Sequence, residues 1–198
     1  LVEGRPDREH PRTRALLREE PATFAALLRW VARIGSSFLR AQVLAGASAV
    51  QLFDRWAGAL DPADYLVHVP PASALVLREI GRLGVPRIHF GTRSARLLVA
   101  MRDAGAEVMG VASDIGLDEA DRLLGGTTVL QGNIDPDLLS APREVLDEHV
   151  RGVLAAGASA PAHIVNLAHG VPKDTDPQTL AHIVDLVHAG ATTPQKGH

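Results

Sequence analysis

Residues able to grip anions or move protons stand directly behind short apolar runs in this chain. Asp54, Arg55 and Trp56 follow Ala49-Val50-Gln51-Leu52-Phe53, and Gly91, Thr92 and Arg93 follow Pro86-Arg87-Ile88-His89-Phe90. Ser113 and Asp114 come after Glu107-Val108-Met109-Gly110-Val111. The run Thr128-Val129-Leu130-Gln131-Gly132 passes into Asn133-Ile134-Asp135-Pro136, completing the phrase Gln131-Gly132-Asn133-Ile134-Asp135-Pro136, and the run His163-Ile164-Val165-Asn166-Leu167 passes into Ala168-His169-Gly170. An arginine at a strand end, here Arg55, can hold a carboxylate through two parallel hydrogen bonds; its other reading is a solvated loop residue. A histidine can hydrogen-bond a carboxylate or shuttle a proton. His169 is the candidate for that work, since Gly170 beside it lets backbone approach closely. It reads equally as a structural histidine tying down the last loop. Asn133 and Asp135 fit better as an Asx turn and helix cap before Pro136. Trp56 can stack under a planar ligand or cover the end of the sheet. His68, His149, His182 and His188 read as surface or packing residues, and Met101 and Met109 carry no ligand meaning.

Composition removes several chemistries. There is no cysteine among the 198 residues, hence no disulfide, thiolate metal site, thiol nucleophile or iron–sulfur ligation. That fits a cytoplasmic protein. The formal charge of −3 gives no bulk attraction to nucleic acid or to an anionic bilayer, while leaving room for a local arginine site. No apolar run is long enough to span a membrane. The opening Leu1-Val2-Glu3-Gly4-Arg5-Pro6 lacks the order of a secretory signal, and with no Met it suggests processing, truncation or a gene fragment. Phosphate-binding loops, HExxH and GxSxG are all missing, and no tight histidine cluster has metal-ligand spacing.

The elements that must position these residues alternate regularly. Helical spacing of apolar residues covers Ala22–Leu44, with Phe24, Leu27, Leu28, Val31, Ile34, Phe38 and Leu39 on one stripe and a weak middle at Gly35-Ser36. A shorter helix is predicted over Pro11–Arg18. Others are expected over Pro71–Leu83, Ser94–Asp103, Leu117–Leu124, Pro142–Leu154 and Pro177–His188, the last capped by Asp176. Gly46, Gly84, Gly105, Gly125 and Gly157 are placed beyond helix ends, where a left-handed residue is cheap. Five strands alternating with helices imply a parallel sheet with helical crossovers, either doubly wound or part of an eight-stranded barrel. In both, the chemistry lies at the carboxyl edge of the strands.

Three phrases in combination decide a resemblance: Gln51-Leu52-Phe53-Asp54 with Trp56-Ala57-Gly58, Gln131-Gly132-Asn133-Ile134-Asp135-Pro136, and Asn166-Leu167-Ala168-His169-Gly170. The chain resembles the uroporphyrinogen decarboxylase family across nearly its whole length. That resemblance implies an α/β fold, a partial (β/α)8 barrel carrying strands four to eight. Residues 1–190 would be the C-terminal portion of one domain and 191–198 a flexible tail. It further implies a homodimer, no metal or organic cofactor, and a tetrapyrrole substrate, uroporphyrinogen III, whose four acetates are decarboxylated to give coproporphyrinogen III.

On the site, the resemblance makes His169 the histidine near a substrate carboxylate and Phe53 a part of the apolar cleft wall. Arg55 takes the position of a substrate-contacting serine. The family's N-terminal arginines, its aspartate and its active-site tyrosine have no counterpart in these residues. Ala112-Ser113 stand where the family reads Asp-Trp, and Ala168 where it reads Gly. Departures gathered at the mouth also suit a catalytically inactive dimerising or ligand-binding remnant. A corrinoid-linked methyltransferase of the same fold group ranks lowest, since those enzymes hold zinc with His and Cys.

Overall fold

The computed structural model describes residues 2–5, 10–55 and 57–191; Trp56 and the tail from 192 onward lie outside them. Two helices lead, α1 (Pro11–Glu19) and α2 (Pro21–Leu44), each with proline in its first turn, where a missing N–H costs nothing. The rest follows as β1 (Val50–Phe53), α3 (Pro62–His68), α4 (Pro70–Gly81), β2 (Arg87–Phe90), α5 (Leu98–Asp103), β3 (Val108–Gly110), α6 (Leu117–Leu123), β4 (Val129–Ile134), α7 (Arg143–Gly157), β5 (His163–Leu167) and α8 (Pro177–Ala191). Short 3₁₀ turns at Ala57–Ala59, Ala95–Leu97 and Pro136–Ser140 sit at the strand ends.

The five strands form one sheet in the order β1-β2-β3-β4-β5, every pair parallel. A doubly wound sheet reverses its strand order at a switch point; a barrel does not. Curvature is visible in a side-chain contact as well. Gln131 on β4 donates from Nε2 to Gln51 Oε1 on β1 at 3.2 Å. Flat strands three apart would lie ~14 Å from each other, so the sheet curls until these two amides meet across its concave face. The fold is thus a partial barrel.

Helices pack on the convex face. Met101, Met109, Val111, Leu130, Ile134, Leu146 and Val150 are buried there, each large side chain contributing about 1.5–3 kcal/mol. A second cluster joins α2 to α4 and β1 through Ala32, Leu39, Val50, Val76 and Ile80. Only part of the predicted α2 stripe is covered: Phe24 and Leu39 are buried, whereas Val31, Ile34 and Phe38 are exposed. The helix runs unbroken through Gly35-Ser36, with Ser36 Oγ donating to Ala32 O.

Left-handed glycines fall at Gly46, Gly84, Gly105 and Gly125 as expected. Gly157 differs. It is the last residue of α7, and a Cβ there would meet His163 Nδ1 at 2.2 Å. Close approach to β5 explains this glycine, not backbone conformation. The α3 helix was not foreseen, although Asp61, which accepts from the Ala63 N–H, and Pro62 form a standard start signal.

Helix α8 is pinned by its N-cap, Asp176 accepting from the Gln178 N–H at 2.9 Å, and by His182, whose Nε2 lies 2.6 Å from Asp147 Oδ1 on α7. Arg151 adds a contact at 3.3 Å. The hydrogen bond from His182, aided by the His182 and Arg151 charges, holds the Asp147 carboxyl below its usual range. Depressed in the folded state, it stabilises above its unfolded pKa, and that contribution is lost as pH falls through the folded value. Wild type should therefore melt above Asp147→Asn at neutral pH. The gap should close below about pH 4, as read by circular dichroism melts across the acid range.

Candidate functional site

A cleft of about 360 Å³ opens at the carboxyl ends of the strands, within the usual size range of ligand pockets. Strand alternation explains which β1 residues enter it: Gln51, Phe53 and Arg55 share the concave side, and Leu52 and Asp54 the other. Phe53 meets Phe90 of β2 edge to face, centroids 5.9 Å apart. Phe90 has room because Gly110 follows on the next strand: a Cβ there would come within 2.8 Å of the ring. The two aromatics and Leu167 make the wall, Gln51 and Gln131 the floor, and Arg55, Thr92, Asn166 and His169 the rim.

Arg55 and His169, 114 positions apart in sequence (169 minus 55), line the same cleft. Thr92 Oγ1 donates to the Arg55 carbonyl and so ties the β1 loop to the β2 loop. On the other side, the Ala168 N–H bonds Ile134 O at 2.8 Å, which makes His169 the first residue past the ladder. The His169 Nδ1 lies 3.1 Å from Gly170 O. That oxygen can only accept, so Nδ1 carries the hydrogen in this contact and Nε2 is left as the acceptor. Gly170 has open space where a Cβ would stand, and its carbonyl makes the close backbone approach expected beside the imidazole. Ala168 is buried and is not among the residues with positive φ, so its replacement of glycine brings no strain.

Asn133 does not reach this mouth. Its Nδ2 donates to Ala112 O at 3.0 Å and Ile115 O at 2.7 Å, which turns the buried amide to brace the loop between β3 and α6. A buried amide takes two carbonyls that would otherwise lack donors. Asp135 is the cap it was expected to be, accepting from the Asp137 N–H. Its own N–H donates to His149 Nε2 at 2.9 Å. Asp114 accepts from the Ala95 N–H, outside the cleft.

Asp54 also turns away. Tyr65 donates its hydroxyl to Asp54 Oδ2 at 3.3 Å, and His89 Nε2 lies 3.8 Å from the same oxygen. Burial, then the Asp54 charge, pushes the Tyr65 phenol far above its ordinary value, so it stays a donor. The fully buried His89 has Nδ1 3.1 Å from Met101 O, which can only accept. None of the lining residues is a carboxylate. Among the described residues, no three His, Asp or Glu side chains are placed to hold a metal ion.

The cleft therefore offers cationic and hydrogen-bonding rim groups over an apolar wall and a neutral amide floor. It suits an anionic ligand with a large apolar body. The family profile described as Uroporphyrinogen decarboxylase (URO-D) matches residues 1–190. The chain belongs to the uroporphyrinogen decarboxylase family.

The curated uroporphyrinogen decarboxylase of Arthrobacter sp. strain FB24 is 55% identical over 189 residues, covering 96% of this chain and 55% of that protein. The Frankia casuarinae protein of the same name is 53% identical over 190 residues, covering 96% and 51%. The chain thus spans about half the length of these relatives. Among solved structures, a methyltransferase from Methanosarcina mazei superposes with a TM-score of 0.68 at 16% identity, over 81% of this chain and 47% of that one. An archaeal fructose 1,6-bisphosphate aldolase gives 0.51 at 18% identity, over 76% and 62%. At such identities these likenesses concern the fold.

Floor residues Gln51 and Gln131 open two of the motifs that carry the resemblance, but the sequence reading gave neither a role in the site. The available signal was a polar amide inside each of two apolar strand runs, at the inward phase of the alternation.

Proposed function

We propose that this chain contributes to the cleft of a uroporphyrinogen decarboxylase and binds the polycarboxylate tetrapyrrole there. The observation that carries the reading is the meeting of Arg55 and His169 over Phe53 and Phe90 in a cleft without a carboxylate.

The reaction replaces a carboxylate by a proton: CH₂–COO⁻ and H⁺ give CH₃ and CO₂. Protonation of a pyrrole α-carbon makes the ring an electron sink. The C–CO₂ bond then breaks, its electron pair enters the ring, and CO₂ departs. The exocyclic carbon takes a proton and the α-carbon returns one. Arg55 holds a substrate carboxylate at the rim, and His169 hydrogen-bonds another or delivers a proton. Phe53 and Phe90 pack on the macrocycle and exclude water, which strengthens charge interactions at the reacting edge. No metal or organic cofactor enters this scheme. A homodimer and a cytoplasmic location belong to the same reading, with neither nucleic acid nor membrane as partner. No described helix is long and apolar enough to cross a membrane.

The departures at the strand ends, Arg55 and Ala112-Ser113, favour a second reading, a ligand-binding or dimerising remnant without turnover. Fluorescence titration with uroporphyrin III is expected to show saturable binding, weakened about tenfold in His169→Ala. Lack of saturable binding overturns the tetrapyrrole site. Anaerobic incubation with uroporphyrinogen III then separates the readings. Coproporphyrinogen III made at a rate that His169→Ala abolishes establishes the decarboxylase; binding with no product establishes the remnant.

A further inference from the structure

We propose that Asp54 is a positioning residue for Arg55, fixed from behind the sheet when the buried His89 takes up a proton; the consequence for binding rests on the tetrapyrrole reading of the cleft. Among the described residues, His89 Nε2 is a buried nitrogen with no hydrogen-bond partner. The ring is fully buried, and Nδ1 gives its hydrogen to Met101 O at 3.1 Å. Neutral His89 therefore turns a lone pair toward Asp54 Oδ2, 3.8 Å away, acceptor against acceptor. Protonated, the same nitrogen turns an N–H toward a carboxylate. A buried acceptor without a donor is costly, and a proton on Nε2 removes that cost.

The carboxylate has slack to take up. Tyr65 reaches the same Oδ2 at 3.3 Å, longer than the about 2.5–3.0 Å usual for O–H···O. Its phenol stays protonated, pushed far above its ordinary value by burial and then by the Asp54 charge, so Tyr65 is not the group that changes charge. Both neighbours stand off one oxygen, and an N–H on His89 draws it inward. Around the ring, β1 contributes Asp54, β3 the uncharged Met109 and α5 the Met101 carbonyl. Arg87 pairs with Glu107 at 3.1 Å and Arg102 with Asp103 at 2.7 Å. His68 of α3 meets the Phe24 ring, and Arg78 and Glu79 of α4 are exposed. Among the described residues, Asp54 is thus the charged group paired with His89.

Asp54 stands where β1 passes into the rim. Its N–H continues the ladder to Phe90 O at 2.7 Å, its carbonyl accepts from the Ala57 N–H at 3.0 Å, and the next residue is Arg55. Anchoring the Asp54 side chain fixes the turn from which Arg55 reaches the cleft. Charge works in the same direction. A partly buried carboxylate next to Arg55 weakens the hold on an anion, and pairing with a protonated His89 offsets that field. By reciprocity, an anion bound at Arg55 promotes proton uptake by His89.

The first test needs no ligand and uses the 198-residue chain. Trp30 is exposed on α2, and Trp30→Phe leaves Trp56, beside Arg55 in sequence, as the one indole. Its emission is expected to differ between about pH 6 and pH 8, the range in which histidine changes charge. Adding His89→Gln or the near-isosteric Asp54→Asn should remove most of that difference. Emission that is constant with pH, or that changes equally in all three proteins, overturns the proposal. The second test titrates uroporphyrin I by fluorescence at the same two pH values. From pH 8 to pH 6, wild-type affinity is expected to rise about fivefold more than that of either variant. The ligand carboxylates and His169 are common to all three proteins and cancel in the comparison. Variants that bind more weakly but keep the wild-type pH ratio would show a merely structural role and overturn the proposal. Should wild type bind no porphyrin at either pH while the Trp56 emission behaves as expected, the tetrapyrrole reading fails and the coupling of His89 to the β1 loop stands.

Discussion

Arg55→Glu should lower the affinity for uroporphyrin by about 100-fold, the largest effect expected of any rim substitution. Two contributions add. On the proposed reading of the cleft, the variant loses a charge-assisted hydrogen bond to a ligand carboxylate, and it sets a carboxylate against a polyanion at the same place. Arg55 is exposed at the edge of the cleft, with its backbone held by Thr92. Its long side chain can therefore meet a ligand carboxylate at the edge, without filling the space of the macrocycle. This decides how the arginine in place of the family's serine should behave. Arg55→Ser is expected to weaken uroporphyrin binding about tenfold, because the cation recruits the ligand. Tighter binding in Arg55→Ser would mean that the arginine crowds the ring. Raising the salt concentration should erode wild-type affinity far more than that of Arg55→Ser, since an exposed ion pair is screened over about 10 Å at 0.1 M.

The legible part of the fold and site was the part written locally. Five apolar runs, each closed by a polar or glycine turn, predict five parallel strands, and the register confirms them within one or two residues at each end. Alternation along β1 already separates Phe53 and Arg55 from Asp54, so the orientation of that loop could be read from period two alone. Asn133 shows the limit. It has the inward phase of β4, yet carbonyl oxygens of Ala112 and Ile115, contributed by another loop, claim its amide. The Gln51–Gln131 contact was illegible for a related reason. It spans 80 positions and exists only because the sheet is curved, a property of the assembled strands. Gly157 and Gly110 follow the same rule: His163 and Phe90, each on another element of the fold, set the space that each leaves open.

Gly58→Ala is expected to cost about 2–3 kcal/mol and to lower the melting temperature by roughly 5–10 °C, although it adds a single methyl group. The glycine lies in the turn after β1, and a Cβ there would stand 2.2 Å from Arg93 O and 2.5 Å from Thr92 O. Both are backbone atoms of the β2 loop, so no side chain can swing aside. The two loops must part, and the first casualty is the bond from Thr92 to the Arg55 carbonyl. Binding of uroporphyrin should fall with stability, because Arg55 and Thr92 line the rim together. Gly152→Ala supplies the contrast. That glycine sits within α7 with nothing near the position of a Cβ, so the same methyl group should stabilise by about 0.5–1 kcal/mol through helix propensity and leave binding unchanged. Thermal melts and porphyrin titrations of the two variants distinguish a steric seam between the β1 and β2 loops from a general intolerance of added volume. Wild-type behaviour in Gly58→Ala would show that the seam yields, and with it the claim that the β1 and β2 loops hold Arg55 as one unit.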